Sequence, residues 1–129
     1  MAKILVVDDE RDIRDIVSIC LRGLGGFDVV QAVNGAEAVE RAVAEQPDLI
    51  LMDVRMPKMT GYEACAKLKS MDLTRGIPVI FLSAKAQDAD IQQGLAAGAS
   101  KYLPKPFAPG ELVSEVRDTL KQMEGIRVQ

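Results

Sequence analysis

Short apolar runs recur along the chain, and each ends in a polar or charged residue. Ile4-Leu5-Val6-Val7 leads into Asp8 and Asp9, and Leu49-Ile50-Leu51-Met52 leads into Asp53. Val79-Ile80-Phe81-Leu82 leads into Ser83, and Tyr102-Leu103-Pro104 into Lys105. The runs are continuous rather than alternating, as in strands buried on both faces. Between them the apolar spacing is helical. Ile13, Ile16, Val17, Cys20, Leu21 and Leu24 fall on one face of a first helix, and Gly23, Gly25 and Gly26 stop it. Residues 27–31 form a second strand. Asn34 caps a helix that turns Ala36, Val39 and Val43 inward, and Pro47 follows its end. Thr60 and Glu63 have capping-box spacing for a helix over residues 61–70. Pro78 opens the strand to Ser83. A polar helix over about residues 87–97 ends at Gly98, and residues 102–105 form a short fifth strand. Pro109 suits the start of a last helix with an apolar stripe of Leu112, Val116, Leu120 and Met123.

Strand followed by helix, repeated along the chain, predicts an α/β fold: a doubly wound, five-stranded parallel sheet covered by helices. There is no internal repeat, low-complexity stretch or linker. The expectation is one domain over residues 1–129, with a core at about 3–122 and a tail over 123–129 that frays from Gly125.

Composition narrows the function classes. At 129 residues and 48% hydrophobic content the chain can build a core. A net charge of -3 leaves no basic footprint for direct nucleic-acid binding. Cys20 and Cys65 lie far apart in helical patterns and read as reduced thiols, which fits a cytoplasmic protein. No stretch is long enough to insert in a membrane, and a strand pattern beginning at Ile4 is read as excluding a secretory signal. The chain has no histidine, which excludes a histidine triad, a histidine metal site and a phosphohistidine.

Ligands of open α/β sheets bind outside the carboxyl ends of the strands, which is where Asp8, Asp9, Asp53, Ser83 and Lys105 fall. Clustered carboxylates repel by about 4 kcal/mol per pair at 4 Å and an effective dielectric near 20. A divalent cation relieves this, and an all-oxygen donor set favours Mg²⁺ or Mn²⁺. Mg²⁺ keeps several waters and pairs with phosphate oxygens, so the pattern points to phosphoryl transfer rather than a closed structural ion site.

The stretch Asp53-Val-Arg-Met-Pro-Lys-Met-Thr-Gly61 resembles the phosphorylation loop of bacterial two-component response-regulator receiver domains. Asp8-Asp9, Ser83-Ala84 and Lys105-Pro106-Phe107 match the family's other motifs, in order and separation. The resemblance is strongest to single-domain, CheY-like regulators. It implies the flavodoxin-like (βα)5 sheet with strand order 2-1-3-4-5. It makes Asp53 the phosphoacceptor, loaded by a histidine kinase or histidine phosphotransfer protein. Asp8, Asp9, Asp53 and the Arg55 backbone carbonyl would hold Mg²⁺. Lys105, the Ser83 hydroxyl and the Ala84 amide would bind the phosphoryl oxygens. The domain would catalyse its own Mg²⁺-dependent phosphorylation and dephosphorylation without being an enzyme on another substrate. Ser83 and Tyr102 would form a switch that remodels the face of helix four, strand five and helix five for a downstream protein, acting as a monomer or a phosphorylation-dependent dimer. Lys105-Pro106 would be cis. Arg55 and Lys85 would flank the phosphoryl group and tune its lifetime.

Plainer readings stand beside these. A single strand-terminal Asp is ordinarily a helix cap or a solvated turn. Asp8 or Asp9 can cap the following helix, Ser83 can be an N-cap, and Lys105 a solvated lysine. Tyr102 can be a packing residue, Pro57 and Gly61 turn formers, and Phe107 a packing or partner contact. Three other functions compete. A haloacid-dehalogenase-type phosphatase carries Asp-x-Asp after its first strand, where this chain has Asp8-Asp9-Glu10. A flavodoxin needs a Ser-, Thr- and Gly-rich phosphate loop there. A degenerate receiver used only for interaction would not keep the whole constellation.

Overall fold

The computed structural model describes residues 2–56, 59–84 and 88–128. Among these, five strands and five helices alternate: β1 (Lys3–Val7), α1 (Arg11–Gly23), β2 (Asp28–Ala32), α2 (Gly35–Glu45), β3 (Leu49–Asp53), α3 (Gly61–Lys69), β4 (Val79–Ser83), α4 (Asp88–Ala96), β5 (Lys101–Pro104) and α5 (Pro109–Val128). The strands form one parallel sheet in the order β2-β1-β3-β4-β5, the order the family resemblance implies.

Because strand side chains alternate between faces, the continuous apolar runs feed two cores at once. Leu5, Val7, Ile50, Met52, Val79 and Phe81 pack on one side with Ala38, Ala42, Ala64 and Leu68 of α2 and α3. Ile4, Val6, Leu49, Leu51, Ile80 and Leu82 pack on the other with Val17, Leu21, Leu112 and Val116 of α1 and α5. All five residues of β3 and of β4 are buried. Cys20 and Cys65 are free thiols. No helix among the described residues is long and apolar enough to cross a membrane.

Capping follows the sequence. The Asn34 carboxamide accepts the Glu37 N–H at 2.8 Å, and Thr60 and Glu63 form a full capping box. Gly98, at φ 104°, ends the α4 segment in the backbone region that favours glycine.

Several expectations change. Ile16 of α1 and Leu24 at its C-cap are 57% and 59% exposed rather than core residues, and Ser18 is buried instead. The helix meets the sheet along a narrower stripe than its apolar residues span. In α2 the inward positions are Gly35, Ala38, Val39 and Ala42, while Ala36 is exposed. Small residues let that helix lie close to β1 and β2, so alanines rather than the valine spacing mark its buried face. β2 and β5 are each displaced by one residue from the expected segments. α5 continues as helix past Gly125 to Val128, where fraying was expected. Pro57, Lys85 and Gln87 lie outside the described residues.

Candidate functional site

Parallel pairing brings the chemistry-bearing strand ends together. Val7 pairs with Met52 and Asp53 with Leu82, so β1, β3 and β4 terminate side by side. Asp53 is the last residue of β3 and only 9% exposed. Asp8, just beyond β1, is 3% exposed, and Asp9 is exposed. A carboxylate oxygen from each of the three lies within 4.8 Å of the others. Lys105, just beyond β5, donates its backbone N–H to the Ser83 carbonyl at 2.8 Å, which ties its loop to the end of β4. Its ammonium then lies 3.2 Å from Asp53 Oδ1 and 3.3 Å from Asp8 Oδ2. The Lys105-Pro106 peptide is cis.

Among the described residues, charge in this cluster is unbalanced: three carboxylates face one ammonium. Burial, aided by Asp8 and Asp9, outweighs the pull of Lys105 and leaves the Asp53 carboxyl raised to about 6. Burial also works against the Lys105 charge, but the Asp53 and Asp8 carboxylates outweigh it and raise that group above its ordinary value. An all-oxygen cluster with excess negative charge, open on the Asp9 side, fits a hard divalent cation that retains water ligands.

Asp9, Asp53, Arg55, Ser83, Ala84 and Lys105 line one cleft of about 440 Å³, together with Glu10 and Ile13. Asp8, buried beside Asp53 and Asp9, is held from two sides. Its Oδ1 accepts the Glu10 N–H at 2.9 Å, and its Oδ2 faces Lys105. Asp8 thus both orders the chain entering α1 and belongs to the acid cluster, while α1 itself has no side-chain N-cap. Ser83 is buried and Ala84 exposed at the rim. Phe107 packs on the α1 and α5 side of the sheet and borders an apolar groove with Ile16 and Pro106 that adjoins the cleft through Ile13, Ala84 and Lys105.

Tyr102 is not in the cleft. Its ring packs on the opposite face of the sheet, 6.1 Å from that of Phe81, which lies two residues before Ser83. The Tyr62 ring meets Phe81 edge-on at 5.2 Å, and the Tyr62 and Tyr102 hydroxyls are 3.3 Å apart. Tyr62 also donates to the Asp90 carbonyl of α4 at 3.2 Å. Sequence reasoning missed Tyr62: nothing local distinguishes it from a packing residue of α3. Gly61 was read as a turn former. It is the first residue of α3, and a Cβ there would lie 2.5 Å from the Asp53 carbonyl oxygen. Its lack of a side chain admits α3 against the end of β3.

Comparison with known proteins agrees with this fold. Residues 4–117 match the family model described as the response regulator receiver domain. The DNA-binding dual master transcriptional regulator RpaA of Synechocystis is 42% identical over 126 residues, which is 98% of this chain and 52% of RpaA. The chain thus spans about half the length of the curated relatives it matches. The chemotaxis protein CheY4 of Vibrio cholerae is similar in structure, with a TM-score of 0.86 and 36% identity over 92% of this chain and 98% of that one. The receiver domain of sensor histidine kinase PA1611 of Pseudomonas aeruginosa, with magnesium coordinated in its active-site cleft, has a TM-score of 0.81 and 33% identity, covering 96% of this chain and 98% of its own.

Proposed function

The chain belongs to the response regulator receiver domain family of two-component signalling, and we propose that Asp53 is its phosphoacceptor. The observation that carries this reading is the convergence of Asp53 with Lys105, at 3.2 Å, and with Asp8 and Asp9 in one oxygen cluster. An Asp53 carboxylate oxygen attacks the phosphorus of a phosphohistidine on a histidine kinase or phosphotransfer protein. The P–N bond breaks, the histidine leaves with a proton, and an acyl phosphate forms on Asp53.

Each neighbour has a role in that transfer. Asp8, Asp9, Asp53 and the Arg55 carbonyl would hold Mg²⁺, with Mn²⁺ as a substitute. When bound, the cation neutralises charge on the carboxylates and on the transferring phosphoryl oxygens. Lys105 moves from pairing with Asp53 to pairing with the added phosphoryl charge of about -1.5 to -2. The Ser83 hydroxyl and Ala84 amide donate to the remaining oxygens. The same groups hold the acyl phosphate while water hydrolyses it, so the domain governs its own phosphorylation and dephosphorylation.

The output is a population shift of an existing two-state element. Ser83 drawn toward the phosphoryl group changes the packing at the end of β4, and Phe81 passes that change to Tyr102. The α4, β5 and α5 face then engages a downstream protein. The domain makes no direct contact with nucleic acid. A DNA-binding role such as the name of RpaA states would belong to a further segment. We place the protein in the cytoplasm, where the free Cys20 and Cys65 thiols remain reduced.

Incubation with acetyl phosphate and Mg²⁺ tests the reading. The expected result is a hydroxylamine-labile adduct, not acid-stable as a phosphoester would be, on the peptide containing Asp53, absent in Asp53→Asn and dependent on Mg²⁺. Undiminished labelling of Asp53→Asn refutes the assignment.

A further inference from the structure

The carboxylate that opens the cluster to solvent is Asp9, and no described residue donates a hydrogen bond to it. Its position must therefore come from the backbone on either side. After Asp9, the Glu10 N–H is held by Asp8 Oδ1 at 2.9 Å. Before it, the Asp8 carbonyl accepts from Arg14 Nη1 at 2.8 Å. That carbonyl shares a rigid plane with the nitrogen and Cα of Asp9, so aiming it aims Asp9. The Asp8 N–H is also tied, to the Ala32 carbonyl at 3.2 Å.

Arg14 is itself braced. Its Nε donates to Gln31 Oε1 at 3.3 Å, and Gln31 Nε2 donates to Ser18 Oγ at 2.8 Å. Ser18, 1% exposed, donates in turn to the Arg14 carbonyl at 2.7 Å. The chain of hydrogen bonds starts and ends on Arg14, locking one guanidinium orientation between α1 and β2. We infer that Arg14 is a positioning residue for the divalent-cation site, directing Asp9 through the Asp8–Asp9 peptide, with Gln31 and Ser18 as its brace. The inference rests on the reading of Asp8, Asp9 and Asp53 as a Mg²⁺ site.

Charge and geometry predict opposite effects here. Arg14 is a cation beside a cation site, so by Coulomb's law its removal should tighten Mg²⁺. As a positioning residue its removal should weaken Mg²⁺ by roughly tenfold, the usual scale for outer partners of metal ligands. The experiment is an MgCl₂ titration of the unphosphorylated protein, followed by the Asp9 and Asp53 amide resonances, with thermal melting in parallel. Arg14→Met is expected to weaken binding by roughly tenfold, with Arg14→Lys recovering part of the loss. Gln31→Met keeps the charge but removes the brace, and is expected to weaken binding to a smaller extent. Unchanged or tighter binding in Arg14→Met, or a lower melting temperature with unchanged affinity, overturns the inference. If Arg14→Met does not fold, an unchanged affinity in Gln31→Met overturns it. Saturable Mg²⁺ binding by the wild type, lost in Asp9→Ala, shows the cation site separately. Its absence overturns the magnesium reading, and this inference with it.

Discussion

Lys105 Nζ lies 3.2 Å from Asp53 Oδ1, although 52 residues separate them in the chain. The parallel sheet makes that contact across β4, which lies between the strands that carry the two residues, and it sets the charge state of the cleft. Among the described residues, Lys105 is the one group that lowers the Asp53 pKa against burial and two neighbouring acids. Lys105→Met is therefore expected to raise the Asp53 carboxyl above its value of about 6, read by carbon NMR of labelled aspartate. A titration that stays in place or moves down would mean the two groups are not electrically coupled.

The raised Asp53 pKa has a consequence for stability. The folded protein keeps this proton to about pH 6, whereas the ordinary value is 3.8. Between those values folding takes up a proton, so stability from this group is fully present below pH 4 and is lost as pH rises to 6. Without Mg²⁺, Asp53→Asn is expected to gain on the wild type across that window, by about 3 kcal/mol at most. Urea unfolding of both proteins at pH 4, 5, 6 and 7 measures the difference, and added Mg²⁺ should shrink it. A difference that is flat with pH contradicts the titration.

Gly61→Ala probes the close approach of α3 to β3. The new methyl would lie 2.5 Å from the Asp53 carbonyl oxygen and 3.0 Å from Val54 Cα, both backbone atoms with little room to yield. Such overpacking costs about 1–3 kcal/mol. Because the displaced backbone carries Asp53, labelling by acetyl phosphate should fall along with stability. Full labelling at reduced stability would confine Gly61 to packing.

Tyr62→Phe keeps the edge-on contact with Phe81 and removes the hydroxyl that reaches both Tyr102 and the Asp90 carbonyl. The expected loss is about 1 kcal/mol of stability, with amide shifts at Asp90 and Tyr102. Addition of BeF₃⁻ should then move α4 further, or at lower concentration, than in the wild type, since one tie between α3, α4 and β5 is gone. An unchanged BeF₃⁻ response would make Tyr62 a packing residue only.

Much of this site was legible because its residues end strands. Asp53, Ser83 and Lys105 each follow a continuous apolar run, and a parallel sheet must bring such positions to one edge. The caps at Asn34 and Thr60 were equally plain, being local hydrogen bonds between residues three apart. The buried faces of α1 and α2 were legible only in part: Val17, Leu21 and Val39 are buried as their spacing predicts. Ile16 satisfies the helical spacing and is still exposed, while Ser18 and Ala42 are buried. Which part of an apolar stripe meets the sheet depends on the approach angle and on the small residues that permit it, and neither is a property of one helix alone.

The sequence by itself determined the alternation of strand and helix, the sheet edge where the acids gather and the residue types of the cleft, because these follow from local periodicity and from where each run stops. The tertiary structure decided what those residues do to one another. It buried Asp53 enough to raise its pKa, put one lysine between two carboxylates and brought the Tyr62 hydroxyl to Tyr102 across 40 residues. It also ran a hydrogen-bonded brace from Ser18 and Gln31 through Arg14 to the Asp8 carbonyl. Desolvation and distance depend on three-dimensional packing, and contacts between residues far apart in the chain leave no periodic trace in it.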